Sequence, residues 1–311
     1  MSKRIVILGG GYGGVLTAKK LEKQIRKRKL KDVTLTLIDK NPYHTMLTEL
    51  HEVAAGRVEE DSIRIDLHKI FARRNVEIVL DEIISADFEK NTLTGKRGEY
   101  PYDYLVVGSG CKPAYYGVEG AEDMAFSLWS YEDAIRIREH VQDMFRNALN
   151  EADLEKRKEM LTFVVSGAGF TGVEMAGELA EWVPVLCERF GVDREEPRII
   201  ICDMLPEILM SLPEKQINKA RKRLEKMGVG ILTGESMTRI TNDSAFLETT
   251  GRIGTRTVIW TCGVVGSDIV KSMDLKKQAR DRVIVNAHLQ SPDYKNVYVV
   301  GDNMFYIPEG E

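Results

Sequence analysis

One pattern in this chain leaves little freedom for its fold: a short apolar run, a glycine-rich turn and a helix-forming stretch occur together twice. The first copy reads RIVILGGGYGGVLTAKKLEK, with Gly9, Gly11 and Gly14 in G-x-G-x-x-G spacing; the second reads LTFVVSGAGFTGVEMAGELAE, with Gly167, Gly169 and Gly172. In such a unit the first glycine allows a tight turn, the second lets the backbone approach a pyrophosphate, and the third lets helix pack on strand. The anion then meets free N–H groups at the positive end of the helix dipole. An acid closes the next strand in each copy: Asp39 ends VTLTLID, 25 residues after Gly14, and Asp203 ends PRIIICD. A carboxylate there can accept both hydroxyls of an adenosine ribose. CDMLPEIL contains no Arg or Lys to meet a 2′-phosphate, so the second copy is expected to prefer NADH to NADPH.

Two such units in 311 residues predict an α/β chain with two Rossmann-like dinucleotide-binding domains. The second domain, 118–265, is inserted in a discontinuous first domain made of 1–117 and 266–311. VEGAEDMAF reads as the crossing out and GVVGSDIV as the return. Between the units, SYEDAIRIREHVQDMFRNALNEA spaces Ala134, Ile135, Val141, Met144, Phe145 and Ala148 at helical period behind Ser130, and reads as a connecting helix with an N-cap. TELHEVAAG reads as helical, as does 214–227.

Composition narrows the function classes. Lys+Arg of 44 against Asp+Glu of 48 leaves a formal charge of -4, which argues against a nucleic-acid partner. The basic runs at 19–32 and 215–226 read as solvated helix faces. Met1-Ser2-Lys3-Arg4 leads straight into an apolar strand, and no apolar run approaches the roughly 20 residues that span a bilayer, so the expectation is a cytoplasmic protein. Four cysteines, Cys111, Cys187, Cys202 and Cys262, show no C-x-x-C and no metal-ligand spacing with the five histidines; reduced thiols and no metal are expected.

Two dinucleotide sites in one chain suit FAD in one and NADH in the other, with hydride passing from nicotinamide C4 to flavin N5 and the protein supplying orientation. Two NAD sites, or one degenerate site, account for the repeat less well. Glu174, just past the third glycine of the second unit, is the candidate catalytic carboxylate, although the helix dipole alone accounts for an acid there. Near the end of the chain NVYVVGD places Gly301 and Asp302 at the mouth of a strand, a suitable place to hold a chain of hydroxyls.

ILGGGYGG, LIDKNPYHTMLTELHEVAAG, YDYLVVGSG, GAGFTGVEMAGELAE, VIWTCGV and NVYVVGD follow one another as in the two-dinucleotide flavoproteins. Together they resemble type II NADH dehydrogenase, the single-subunit, non-proton-pumping NADH:quinone oxidoreductase, over essentially the whole chain. The resemblance implies that Gly9, Gly11, Gly14, Asp39, Gly301 and Asp302 bind FAD, Asp302 on the ribityl chain. It places Thr48 and the residues up to Ala55 along the isoalloxazine ring, and Gly263, in the Thr261–Gly263 turn, near the flavin. Gly167, Gly169, Gly172 and Asp203 would hold NADH, with Glu174 near the nicotinamide.

The chain departs from that family in having Asp203 where Glu is common and Val265 where Arg is frequent. It also stops soon after Asp302, where the family continues into a flavin-closing helix, a quinone-facing motif and a membrane-binding segment; a flavin half open on one side is therefore expected. The implied partner is a quinone or another small electron acceptor. Homodimerisation fits the resemblance, and so does peripheral contact with the cytoplasmic face of the membrane where a C-terminal segment follows. Neither YHTMLTELHEVAAG nor SGAGFTG carries a cysteine pair, so a dithiol relay is not expected and electrons should leave the flavin for an external acceptor. The competing readings are a soluble NADH-dependent flavin reductase (diaphorase) serving a protein or small acceptor, and a dinucleotide-binding module without turnover.

Overall fold

The structure, a computed structural model, describes residues 2–308. Its described residues form two compact units: 2–45, 64–112 and 264–308 make the first, Met46–Ile63 and Pro113–Gly263 the second.

The first unit is built on a five-stranded parallel sheet in the order Val297–Val299, Tyr104–Val107, Lys3–Leu8, Val33–Asp39, Glu77–Leu80. Its strands are apolar on both sides because both faces are covered. Ile7, Leu35, Leu37 and Val106 face one way, where Val15 and Ala18 of the helix Tyr12–Lys27 meet them. Val6, Leu8, Ile38, Leu105 and Val107 face the other, against Leu93, Tyr102, Val283 and Val285. The alternation is the two-residue period of a strand.

The second unit repeats the plan. Its parallel sheet runs Phe126–Ser127, Thr257–Trp260, Thr162–Ser166, Arg198–Asp203, Val229–Thr233. Phe163, Val165, Ile199, Ile201 and Ile259 pack with Met175, Ala176 and Leu179 of the helix Phe170–Phe190. Val164, Ile200, Cys202, Val258 and Trp260 pack on the opposite side. Each unit also carries a three-stranded antiparallel sheet before the return strand: Ile83–Asp87, Thr92–Gly95 and Glu99–Pro101 in the first, Met237–Ile240, Ser244–Leu247 and Gly251–Gly254 in the second. The internal repeat is therefore longer than the glycine motifs alone indicate. The units differ at the outermost strand, which comes late in the first chain path and before the glycine loop in the second.

Three features differ from the sequence reading. The chain leaves the first unit after Lys112 and returns at Val264, not at 117 and 266. Residues 46–63, expected with the first domain, belong to the second unit, because Leu50, Val53, Ala54, Ala55 and Ile63 are buried in its core. The helix Tyr131–Ala148 is no connector either: Ala134, Ile137, Val141, Met144, Phe145 and Ala148 are buried in that same core. Its expected cap is present as a capping box, with Ser130 Oγ accepting the Asp133 N–H at 3.1 Å and Asp133 Oδ2 accepting the Ser130 N–H at 3.0 Å.

Among the described residues no helix is long and apolar enough to cross a membrane. Nor, among the described residues, is any group of three or more His, Cys, Asp or Glu placed to hold a metal ion.

Candidate dinucleotide sites

Both glycine loops sit where a central strand gives way to a helix, and their backbones correspond closely. Gly9 and Gly167 have φ of 106° and 102°, a region that L side chains rarely adopt. The third glycines allow no side chain: a Cβ on Gly14 would lie 1.8 Å from the Gly9 oxygen, and one on Gly172 1.8 Å from the Gly167 oxygen. The second glycines are the opposite case. A Cβ on Gly11 or Gly169 would meet nothing within 4 Å, although each residue caps its helix. Packing inside the protein therefore does not require glycine there; close approach of an outside group does, as the turn-and-cradle motif demands. Neither helix has an acid in its first turn and neither has a side-chain cap, which leaves its N-terminal dipole for an anion.

The two strand-end acids are also equivalent. Asp39 Oδ2 accepts the Gly10 N–H at 2.5 Å and its Oδ1 the Asn41 N–H at 2.7 Å. Asp203 Oδ2 accepts the Ala168 N–H at 2.6 Å and its Oδ1 the Leu205 N–H at 2.8 Å. Each carboxylate thus holds its glycine loop closed against the next turn, a structural task that the sequence reading did not assign. A carboxylate has about four lone-pair sites, so two remain for ribose hydroxyls. Burial raises the pKa of Asp39, opposed by its two backbone hydrogen bonds.

In the first unit Gly9, Gly11, Gly14, Asp39, Gly301 and Asp302 come together. A Cβ on Gly13 would lie 3.1 Å from Val300 Cγ2 and 3.4 Å from the Gly301 nitrogen, so the mouth of Val297–Val299 abuts the start of the glycine helix. Gly301, at φ 80°, turns the chain there. The Asp302 side chain is exposed and makes no hydrogen bond or ion pair to another described residue; only its main-chain oxygen is engaged, by the Cys111 thiol at 3.0 Å. Unlike Asp39, it has all its acceptor sites free. Sequence reasoning missed His44, which is buried, pairs through Nδ1 with the Gly10 oxygen at 2.9 Å and meets Tyr12 edge-on at 4.7 Å.

The second unit gathers Gly167, Gly169, Gly172, Asp203, Glu174, Thr48 and Gly263. Thr48 lies in the short 3-10 turn Leu47–Glu49, which is part of this unit. The Thr261–Gly263 turn underlies the second loop: Thr261 Oγ1 donates its hydrogen within reach of the Ser166 oxygen, 2.9 Å, and the Gly167 oxygen, 3.0 Å. Gly263 has φ of 102° and gives its oxygen to the Ala114 N–H at 3.1 Å. Phe170 and Tyr12 hold the same place in the two units, first in the helix, and both are exposed. Met204, Leu205 and Met210, which follow Asp203, are exposed too.

Glu174 lies in the second turn of its helix and is half-exposed, with Oε2 3.8 Å from Nδ1 of the nearly buried His51. One turn on, Glu178 accepts from Arg57 at 2.9 Å, and Arg57 also pairs with Glu52. Trp182 packs its indole where a Cβ on Gly56, at φ 67°, would come within 3.3 Å. These contacts fasten the helix Leu50–Ala54 beside the glycine helix.

None of the four cysteines is in a disulfide. Burial pushes the Cys202 thiol up to about 12 and the Cys262 and Cys111 thiols up to about 11, so these three are protonated and weakly nucleophilic at neutral pH.

A family model described as pyridine nucleotide-disulphide oxidoreductase matches residues 3–309. The type II NADH:quinone oxidoreductase of Staphylococcus aureus is 31% identical over 312 residues, covering 99% of this chain and 76% of that protein. NDH2 from Plasmodium falciparum, solved in complex with NADH, is similar at a TM-score of 0.89 and 18% identity, covering 99% of this chain and 66% of that one. The sulfide:quinone oxidoreductase of Aquifex aeolicus is similar at a TM-score of 0.80 and 22% identity, covering 99% and 70%. At these identities the structural likenesses carry the fold. The chain thus spans about three quarters of the curated relative and just under two thirds of the Plasmodium chain.

Proposed function

The chain belongs to the pyridine nucleotide-disulphide oxidoreductase family and, within it, to the type II NADH:quinone oxidoreductases; from that membership we propose that it is an FAD-dependent NADH dehydrogenase. The net reaction takes NADH, a proton and a quinone to NAD⁺ and the quinol. FAD, when bound, accepts the hydride of NADH and passes two electrons to the quinone.

The protein's part is to bind and orient. In the first unit the free N–H groups after Gly11 would hold the FAD pyrophosphate, Asp39 the adenosine ribose, and the unengaged carboxylate of Asp302 the ribityl hydroxyls. Gly301 supplies the turn that presents Asp302. In the second unit Gly167, Gly169 and Gly172 would seat the NADH pyrophosphate. Asp203 would take the ribose, and the absence of a cation at Met204–Leu205 favours NADH over its 2′-phosphate. Glu174 is assigned to the nicotinamide side of the second unit. The observation that carries the proposal is the pair of matched loops, each with a second glycine open to an outside group, in a chain whose cysteines form no disulfide. With no dithiol to receive them, the electrons go to an external acceptor. By the same membership we extend the reading to a cytoplasmic, peripheral membrane location and a homodimer, which vesicle co-sedimentation and sedimentation velocity would check.

Anaerobic titration tests the central reading. The purified, FAD-loaded protein should bleach with one equivalent of NADH and recover its yellow colour on adding a water-soluble quinone. Failure to bleach overturns the dehydrogenase assignment, and bleaching without recovery overturns the quinone.

A further inference from the structure

Corresponding hydrogen bonds fasten the two glycine loops, and all but one have the same form in both units. The Gly9 N–H donates to the Ile38 oxygen and the Gly167 N–H to the Cys202 oxygen, each at 2.8 Å. The Gly10 and Ala168 N–H groups go to the strand-end carboxylates. The Gly11 and Gly169 oxygens accept from Val15 and Val173, one helical turn on, at 2.9 and 3.0 Å. The exception is the carbonyl in the middle of the loop. In the second unit the Ala168 oxygen accepts the main-chain N–H of Leu209 at 2.9 Å. In the first unit the corresponding Gly10 oxygen is held by a side chain, His44 Nδ1, also at 2.9 Å.

A carbonyl oxygen only accepts, so Nδ1 carries the hydrogen, and the bond has the same form whether or not Nε2 is protonated. His44 is buried; it comes from the strand Tyr43–Thr45, paired with Arg64–Asp66, and its ring meets Tyr12 edge-on. What the bond fixes follows from the planarity of the peptide. The Gly10 carbonyl and the Gly11 N–H belong to one trans unit and point in opposite directions. With the carbonyl drawn to the buried imidazole, the Gly11 N–H faces away from it, and it has no acceptor among the described residues. At that same residue an added Cβ would meet nothing within 4 Å. A hydrogen bond to the carbonyl also polarises the peptide and strengthens its N–H as a donor.

We infer, on the reading that the first unit holds FAD, that His44 is a positioning residue for that dinucleotide: by clamping the Gly10 carbonyl it aims the Gly11 N–H at the pyrophosphate. The second unit gives the same task to its own main chain. A substitution outside the glycine motif therefore weakens the first loop, whereas at Leu209 only proline, which lacks the N–H, removes the corresponding bond.

Two variants separate the donor from the ring. His44→Phe keeps an aromatic ring against Tyr12 and removes the donor; His44→Asn gives up the ring and keeps an amide N–H close to the place of Nδ1. FAD affinity is read from the flavin fluorescence released on serial dilution of the FAD-loaded protein. ADP-ribose, which has the ribose and pyrophosphate of NADH without the nicotinamide, is titrated calorimetrically at saturating FAD to report on the second loop. His44→Phe should raise the Kd for FAD about threefold to tenfold, the worth of one net hydrogen bond, and leave that for ADP-ribose unchanged. His44→Asn should bind FAD more tightly than His44→Phe does. The reverse order would make His44 a packing residue and overturn the inference, as would an equal loss of ADP-ribose affinity in His44→Phe. His44→Leu is a second variant without a donor, and carries the same expectation where His44→Phe does not fold. Native protein that binds no FAD overturns the reading of the first unit itself, and the inference with it.

Discussion

Gly172 and Gly169 are three residues apart in one loop, and the structure gives them opposite reasons to be glycine. A methyl group on Gly172 would sit 1.8 Å from the Gly167 oxygen and 2.8 Å from Thr261 Oγ1, so helix and strand would have to separate. Gly172→Ala is expected to cost on the order of 1–3 kcal/mol, the usual range for forced overpacking, and to weaken NADH binding as the loop deforms. A methyl group on Gly169 meets nothing. Gly169→Ala should cost less than about 1 kcal/mol, the loss of a glycine N-cap, while lowering NADH affinity about tenfold or more, since the approach of the pyrophosphate is blocked. Thermal melts and NADH titrations on the two variants check this; equal stability loss in both would refute the distinction. The sequence motif named all three glycines but could not rank them, because the atoms that forbid a side chain at Gly172 include Thr261, from the far end of the unit. The same holds for Asp203: its place at a strand end is visible in PRIIICD, while its bonds to the Ala168 and Leu205 N–H groups are not.

At the level of elements, local signals were legible where their partners are local. Ser130 before the helical run announces an N-cap, and the structure completes it as a capping box with Asp133. Ser130→Ala should destabilise the second unit by about 1 kcal/mol, measurable as a lowered urea midpoint with an unchanged slope. What that helix does was not legible. Its apolar face looks the same whether it bridges two domains or fills one core, and only the positions of Phe163 and Leu179 decide for the core. Residues 46–63 make the same point more strongly. TELHEVAAG reads as a short helix, and one forms over Leu50–Ala54 behind a 3-10 turn. Its allegiance to the second unit rests on Val53 and Ala54 being fully buried there and on Arg57 joining Glu52 to Glu178. The antiparallel three-stranded sheets were hidden too, because strands of three to five residues carry too few alternations to stand out from loops.

For the molecule as a whole, stability should depend on pH through a histidine outside both glycine motifs. His140 Nε2 lies 3.2 Å from the Arg256 oxygen and 2.9 Å from Thr257 Oγ1, and its ring packs on Phe126 at 4.2 Å. Burial lowers its pKa, so the folded state keeps the imidazole neutral after the unfolded chain has taken up a proton. The contribution is intact above the unfolded value of about 6.5, is lost progressively as the pH falls below it, and levels off once the folded pKa is passed. His140→Gln should remove up to about one proton from the acid-side slope, about 1.4 kcal/mol per pH unit at most, as seen in urea unfolding across that window. An unchanged slope would mean that His140 does not report on folding. The sequence by itself determined the class of fold, the two loops and the acids that answer them, because glycine geometry, strand alternation and helix caps act over a few residues and leave their spacing in the chain. Tertiary structure alone decided that residues 46–63 join the second unit, that Thr261 and His44 brace the loops, and that His51 stands beside Glu174. Those choices follow from which apolar faces find each other to exclude water, and from which polar groups are then left within reach, neither of which the order of residues records.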